Sequence, residues 1–163
     1  MYLRAVFLLA LILFAQGCSR VGDKIVIPVD LSSHGVESFG EISIPEGLNY
    51  NFYLAFVCDC SGDNSKRAIF DEVVGKKQSG KSAEISVRLK IAQGNSVLVD
   101  DIIEAAESIG AMSMEGEWAT LRPLFVHSLE PGKYHVEVEV IKEEQRLQVF
   151  KTYLYMFYSN PKV

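Results

Sequence analysis

The sequence predicts a mainly β protein, an antiparallel β-sandwich of immunoglobulin-like type with about seven strands. Three observations lead to this fold class. Short segments alternate apolar and polar residues, turn residues separate these segments, and 48% of the chain is hydrophobic, which is enough to fill a core. Where the alternation stops, we expect one or two short helical inserts.

The first three predicted strands differ in how much of their surface is apolar. Residues 24–30 form a strand that Pro28 confines to a sheet edge or a bulge, because proline cannot donate a ladder hydrogen bond. Residues 36–44 form the second strand, which stops at Pro45. Residues 49–58 are apolar on both faces, which predicts a central strand buried on both sides.

The middle of the chain mixes helical and β signals. Apolar residues within 61–81 are spaced for one face of a short helix that ends at Gly75. After a turn at residues 94–95, residues 97–109 are predicted to form a second helix, since Asp100 and Asp101 would favour a helix N-terminus. Residues 82–91 between the two helices form a strand whose core-facing residues are Ile85, Val87, Leu89 and Ile91.

The last third of the chain is predicted to add strands at residues 121–129, 134–140 and 147–158. The second of these alternates strictly, and its core-facing residues are Tyr134, Val136, Val138 and Val140. Pro131 and Gly132 match a type II turn, which requires a positive φ at Gly132. Residues 111–119 are interpreted as a loop that carries Met112, Met114 and the only tryptophan, Trp118. These three side chains either contact a partner, because tryptophan and methionine are enriched at interfaces, or pack over an open end of the core.

The first eighteen residues determine where the rest of the chain works. Arg4 gives a cationic start, and residues 5–15 are an uninterrupted apolar run. That run is shorter than the roughly 20 residues that a membrane-spanning helix needs. It fits the apolar region of a secretory signal peptide, which is about 7–15 residues long.

Residues 14–18, Phe-Ala-Gln-Gly-Cys, resemble the lipobox of bacterial lipoproteins. The resemblance implies cleavage before Cys18 and a covalent diacylglycerol and acyl lipid on that residue, the only bound group that we expect. Two or three acyl chains on one residue are enough to anchor a protein stably in a membrane. Residues 1–17 are then the signal peptide, 18–23 the lipidated cysteine with a short tether, and 24–163 the β-sandwich domain. Because Ser19 is not an aspartate, the periplasmic face of the outer membrane is favoured. An ordinary cleaved signal with a chance cysteine is the alternative.

Cys58 and Cys60 are the remaining cysteines, in a compartment that permits disulfides. Residues i and i+2 of a strand are about 6.6 Å apart on one face, so a bridge would require the strand to end near Asp59. A structural disulfide or a pair of buried thiols, a soft-metal site and a redox pair all remain open.

Several short segments together resemble an uncharacterised family of small Gram-negative envelope lipoproteins. These segments are residues 42–45 before the strand at 50–56, and residues 67–75, 85–91 and 129–136. The resemblance implies a lipoprotein whose immunoglobulin-like β-sandwich is a domain of unknown function. It implies no mechanism.

Charge and motifs exclude several functional classes. The formal net charge is −5, and removal of Arg4 with the signal peptide makes it −6, without the basic stripe that nucleic-acid binding requires. No catalytic motif and no metal-binding motif with a full ligand set is present, so we expect no enzyme, and Cys58 and Cys60 are the one alternative metal site left open. We expect a non-enzymatic protein-binding module, for example an immunity-type inhibitor, with an unidentified envelope or secreted partner. The alternative is a structural or stress lipoprotein, or a small-ligand or metal carrier that uses Cys58 and Cys60.

Overall fold

The computed structural model describes residues 25–75, 83–114 and 117–158 of the chain. The helical elements in these ranges are the α-helix α1 (Asn64–Val73) and a 3-10 helix (Gln145–Val149). In chain order the strands are β1 (Ile25–Pro28), β2 (Glu37–Ile44), β3 (Leu48–Val57), β4 (Ser86–Gln93), β5 (Ser96–Glu104), β6 (Gly110–Met114), β7 (Glu117–Leu129), β8 (Gly132–Lys142) and β9 (Lys151–Tyr158).

The strands form two sheets in which all pairings are antiparallel. The five-stranded sheet has the order β1-β9-β3-β7-β6, and the four-stranded sheet has the order β2-β8-β4-β5. The prediction of a mainly β, antiparallel sandwich with a short helical insert is confirmed. Pro28 lies in the edge strand β1, as its missing N–H requires.

The main core lies between the two sheets and follows the predicted alternation. β3 is the central strand of its sheet, paired with β7 on one side and β9 on the other, and its second half is buried on both faces. All predicted core-facing residues of β4 and β8 are buried, together with the residue that precedes β4: Ile85, Val87, Leu89, Ile91, Tyr134, Val136, Val138 and Val140.

Helix α1 lies within the predicted segment, ends at Val73 close to the predicted end at Gly75, and packs against this core. The Asp63 carboxylate accepts a hydrogen bond from the Lys66 backbone N–H at 2.9 Å, which caps the N-terminus. Phe70 and Val73 are buried, and the Phe70 ring meets Phe150 edge to face with ring centroids 5.2 Å apart. The helix therefore contributes its apolar face to the core that the sheets enclose.

The predicted second helix at residues 97–109 is wrong, because residues 96–104 form strand β5. β4 ends at Gln93 and β5 begins at Ser96, so only two residues connect them. A two-residue connection joins adjacent antiparallel strands, and Gly94 supplies the positive φ of 57° that such turns need. Asp100 caps no helix; it binds Arg88 of β4 through an Oδ1–Nε contact of 2.6 Å.

The interpretation of residues 111–119 as a loop is also wrong. Residues 110–114 form the edge strand β6, which pairs with the beginning of β7 from Gly110–Leu121 to Met114–Glu117. β9 likewise begins later than predicted, at Lys151, because residues 145–149 form the 3-10 helix.

The predicted reason for a glycine at position 132 is wrong as well. Gly132 has no positive φ, and it already belongs to β8, paired with Ile44. A Cβ at this position would meet the end of the flexible Gln93 side chain, which can move aside, so nothing in the structure requires a glycine here. The corner is closed by the Tyr134 hydroxyl, which donates to the Glu130 carbonyl oxygen at 2.7 Å.

A buried arginine holds the two sheets together at the point where the chain crosses between them. Arg122 of β7 is 3% exposed. Its guanidinium donates to three backbone carbonyl oxygens, those of Ala83 at 2.7 Å, Ala106 at 2.8 Å and Ala105 at 2.9 Å. Burial lowers the pKa of Arg122, while Glu107 opposes that shift. The side chain nevertheless stays charged, because arginine does not deprotonate in proteins.

We expect Arg122→Met to lower the free energy of unfolding by about 3 kcal/mol, because three carbonyl oxygens would lose a charged donor. Urea unfolding followed by tryptophan fluorescence and circular dichroism measures this. Arg88→Met is the matched control, since Arg88 is 49% exposed in its ion pair with Asp100 and should cost less than about 1 kcal/mol. Equal losses in the two variants would contradict the role given to Arg122.

Candidate functional site

The residue that carries the lipid in the sequence prediction, Cys18, lies outside the described residues. The described part of the chain begins seven residues after Cys18, at Ile25, which is the first residue of β1. Among the described residues, no helix is long and apolar enough to cross a membrane. The anchor therefore stays a prediction.

The structure separates Trp118 from the two methionines with which it was grouped. Trp118 lies in β7, pairs with Ser113, and is 71% exposed. Met112 pairs with Ala119, and side chains alternate between the faces of a strand, so Met112 and Met114 lie on the opposite face from Trp118. Both methionines are partly buried against an apolar cluster, whereas the indole projects from the hairpin.

Trp118 lies beside the cysteine pair. β3 ends at Val57, which pairs with Ala119, so the chain leaves the sheet at Cys58 next to Trp118. Cys58 and Cys60 form a disulfide, with Cα atoms 5.1 Å apart, and both are partly buried against the main core. The bridge therefore closes a tight turn around Asp59, which holds the backbone next to the exposed indole.

An ion pair borders the same end of the sheet. The Lys151 Nζ lies 3.2 Å from the Glu117 carboxylate. The hydrogen bond to Glu117 raises the pKa of Lys151, and Asp59 adds a smaller effect in the same direction. Because Lys151 is exposed, this ion pair contributes little to the stability of the fold, and its main effect is to neutralise the local charge. Trp118 and the disulfide turn form the candidate contact site, and the ion pair lies at the same end of the sheet on the opposite face.

A second feature covers the outer face of the five-stranded sheet, the side away from the main core. Side chains of β3, β6, β7 and β9 form an apolar cluster there, which we call the tyrosine face. Its rings contact one another, with Tyr53 stacked on Phe157 at a centroid distance of 5.2 Å. Burial raises the pKa of both Tyr53 and Tyr155. The tyrosine face consists of Tyr53, Ala55, Val57, Met112, Met114, Ala119, Leu121, Tyr153, Tyr155 and Phe157.

The outer face of the four-stranded sheet is different in character. Arg88 binds Asp100, and Lys90 binds Glu137 at 3.1 Å. These charged side chains surround a shallow depression of about 100 Å³, which Glu37 and Glu139 complete. A polar outer face is what a sandwich exposed to water requires. The five-stranded sheet departs from that rule.

Asp30, Ser33 and His34, the described residues whose types could suggest a hydrolase, show no catalytic hydrogen-bond chain. Asp30 accepts hydrogen bonds from the backbone and hydroxyl of Ser32, and not from Ser33. His34 is exposed, and its Nδ1 lies 2.9 Å from the Ile141 carbonyl oxygen. Within the described ranges, no three His, Cys, Asp or Glu side chains are grouped to hold a metal ion.

Sequence reasoning missed the tyrosine face and Arg122. A signal for the face was present, because β3 and β9 both have two apolar faces, which indicates burial on both sides of the sheet. We attributed the burial of both faces to a single core and did not expect a second apolar cluster on the outer face of the sheet. Nothing in the sequence marked Arg122, because a lone arginine in a strand predicts an exposed side chain.

Comparison with known proteins identifies the family. Residues 26–158 match the family described as a domain of unknown function, DUF5625. The chain belongs to this family. Its fold is similar to the crystal structure of GEBA250068378 from Sulfurospirillum deleyianum, with a TM-score of 0.65 and 19% identity over 85% of this chain and 98% of that chain. None of the curated proteins that were compared is similar to it.

We expect that the Cys58→Ser/Cys60→Ser double variant of this DUF5625 domain loses about 1–2 kcal/mol of unfolding free energy. The loss is small because a disulfide that closes such a short loop removes little entropy from the unfolded chain. Urea unfolding of the variant, and of the parent with and without reductant, measures it. Free thiols with bound copper or zinc in the purified parent, detected by alkylation and metal analysis, would contradict the structural role.

Proposed function

We propose that this DUF5625 protein is a lipid-anchored lipoprotein of the Gram-negative envelope that acts as a non-enzymatic protein-binding module. Cys18 carries the anchor, most simply at the periplasmic face of the outer membrane. The domain that follows captures an envelope or secreted protein, for example a toxin that it inhibits as an immunity protein.

The exposed indole of Trp118 is the observation that carries the proposal. Tryptophan is the residue type most enriched among side chains that dominate binding energy, and it is costly to leave in water. Here it projects from a hairpin that is held by the ladder with β6 and lies beside a disulfide turn. A side chain that is held on a rigid backbone loses little conformational entropy when a partner binds.

The charges around Trp118 indicate what kind of partner fits. Glu117 is neutralised by Lys151, but Asp59 of the adjacent turn has no ion pair among those described, and the mature chain is acidic. A partner with an apolar pocket and basic rim would be steered to this end of the sheet. The disulfide between Cys58 and Cys60 supports a structural role for that pair over a metal-carrier role.

Cys18→Ala in the full chain should abolish fatty-acid labelling and release the protein from membrane fractions, because no other residue is proposed to be acylated. Metabolic labelling with an alkyne fatty acid and fractionation of the envelope measure both effects. The Cys58→Ser/Cys60→Ser chain, which keeps Cys18, should label normally. Retained labelling or unchanged fractionation of Cys18→Ala would refute the anchor.

Trp118→Ala should weaken capture of the partner from envelope and culture-fluid extracts at least about thirtyfold, the equivalent of about 2 kcal/mol at an interface hot spot. The tagged chain is purified from membranes in detergent, and bound proteins are quantified by mass spectrometry. The free energy of unfolding should stay within about 0.5 kcal/mol of the parent, since surface substitutions have small effects.

Phe39→Ala is the matched control for Trp118→Ala. Phe39 is also 71% exposed, but it lies in β2 of the other sheet. It should capture the partner as the parent does. Equal loss in both variants would show non-specific adhesion of apolar surface, and undiminished capture by Trp118→Ala would remove this site from the proposal.

A further inference from the structure

The two sheets of the sandwich have four edge strands, which differ in how well they are protected against pairing with a further strand. The edges are β1 and β6 of the five-stranded sheet and β2 and β5 of the four-stranded sheet. An edge strand presents a row of unpaired backbone N–H and C=O groups. Proteins protect such edges with proline, charged side chains, bulges, short strands or a neighbouring segment.

Three of the four edges carry protection of this kind. β1 is four residues long and contains Pro28. β2 carries Glu37 and Glu41, and β1 of the other sheet lies beside it. β5 carries three acidic residues, and its ladder with β4 shifts register. These features oppose the addition of a strand at β1, β2 and β5.

β6 has none of these features except that it is short. Its five residues, Gly-Ala-Met-Ser-Met, include no charged residue and no proline, and its ladder with β7 runs without a register shift. Within the described ranges, β7 is the only strand that pairs with it, and Gly110, Ala111 and Ser113 are exposed. The outer backbone groups of β6 are therefore open to a strand from another molecule.

We propose that the partner of this binding module adds an extended segment to β6, as a sixth strand of the five-stranded sheet, and that this segment has an uncharged apolar middle and a lysine or arginine at each end. The inference rests on the proposed function and deepens it, because it names how the partner binds beside Trp118. In strand addition the backbone hydrogen bonds give affinity, and the alternate side chains give specificity.

The residues between Trp118 and the open edge explain how the indole takes part. Ser113 pairs with Trp118, and Ala111 lies two residues away on the same face of the sheet. An added strand would lie two strand spacings from β7, or about 9.6 Å. Because Ala111 and Ser113 are small, a large apolar side chain of the added strand can lean over them and cover the exposed indole.

The opposite face of the added strand would also meet apolar side chains. Met112 and Met114 lie on that face of β6, half-buried against the tyrosine face. Most of the tyrosine face is already buried within the single chain, so the two methionines are its border toward the added strand. Apolar neighbours on both faces favour a segment whose middle is apolar.

Glutamates on either side of β6 favour basic ends on the segment. Residues 104–117 contain four glutamates and neither lysine nor arginine. The four are Glu104 and Glu107 before the strand, and Glu115 and Glu117 after it. Lys151 pairs with Glu117, but Asp59 of the disulfide turn adds a negative charge at the same end. Complementary charge at both ends would steer the segment to β6 and fix its register.

The same glutamates disfavour a second copy of this chain as the added strand. In an antiparallel pair of two β6 strands, the start of each strand lies against the end of the other. The glutamates that precede one strand would then face those that follow its neighbour, and like charges opposite each other destabilise a sheet. A parallel pair would align like charges as well. A partner with basic ends avoids this repulsion.

Trp118 is the only tryptophan of the chain, so its fluorescence reports binding at this edge directly. Random dodecapeptides without tryptophan, displayed on phage, are selected on the tagged full chain in detergent. Enriched peptides should share an uncharged apolar middle with lysine or arginine near both ends. The most enriched peptide, made synthetically, should shift the Trp118 emission to shorter wavelength. It should also slow hydrogen exchange of residues 110–114 at least about tenfold, because their outer N–H groups become paired.

Backbone N-methylation of the synthetic peptide distinguishes strand addition from binding through side chains alone. Successive N–H groups of a strand point to opposite edges, so methyl groups on alternate residues block one edge only. One of the two alternately methylated peptides should lose at least about thirtyfold in affinity, and the other should bind within about threefold of the parent peptide.

A lysine on the β6 edge should block the site. Ala111→Lys should lower the affinity of the peptide at least about tenfold, because an edge lysine obstructs strand addition and repels the basic ends. Val97→Lys is the matched control, since Val97 is exposed on the edge strand β5 of the other sheet, and it should leave the affinity unchanged. Equal urea midpoints of the two variants show that both are folded.

Four outcomes would overturn the inference. They are a selection without enriched peptides, a peptide that leaves Trp118 emission and the exchange of residues 110–114 unchanged, equal effects of the two methylation patterns, and undiminished binding to Ala111→Lys. The proposed function is judged separately, by capture from extracts. Capture that is lost in Trp118→Ala but kept in Ala111→Lys would reject strand addition and leave the binding module standing. Undiminished capture by Trp118→Ala would instead remove the contact site on which the inference rests.

Discussion

The buried guanidinium of Arg122 is the interaction on which the two-sheet arrangement depends. The chain passes from the four-stranded to the five-stranded sheet between β5 and β6, and a crossing segment cannot satisfy its carbonyl groups within a ladder. Arg122 donates to Ala105 and Ala106 on this segment and to Ala83 ahead of β4. A planar group with five donors suits this task, whereas lysine could not reach three carbonyl oxygens in a fixed geometry. The cost of burying one charge is offset by three charge-assisted hydrogen bonds.

The position of this crossing segment also determines which strand faces of the sandwich point outward. The hairpin of β6 and β7 extends the five-stranded sheet at the edge opposite β1, and it gives Met112 and Met114 to one face and Trp118 to the other. The four-stranded sheet follows the usual rule of an apolar inner face and a charged outer face. The five-stranded sheet is apolar on both. The domain therefore exposes an isolated indole beside a disulfide turn, whereas most of the tyrosine face is buried.

The sequence allowed the fold class to be predicted because alternation and turn residues act locally. β4 and β8 alternate strictly, so their core residues could be named individually. The error at β5 had a local cause, because Asp100 and Asp101 resemble a helix N-terminus. Only the ladder with β4, in which Asp100 pairs with Lys90, shows that they belong to a strand. The candidate contact site was harder to predict from the sequence than the fold. Exposure of Trp118 and burial of Arg122 depend on the register of β7 against its neighbours, which no single segment encodes.

The position of Trp118 is compatible with the proposed anchor. Six residues separate Cys18 from β1, so the proposed tether would span at most about 21 Å and hold the β1 edge near the bilayer. β7 lies three strand spacings from β1, or about 14 Å, so Trp118 would lie toward the opposite edge of the five-stranded sheet. A partner could therefore reach the indole without contacting the edge that the tether holds at the membrane.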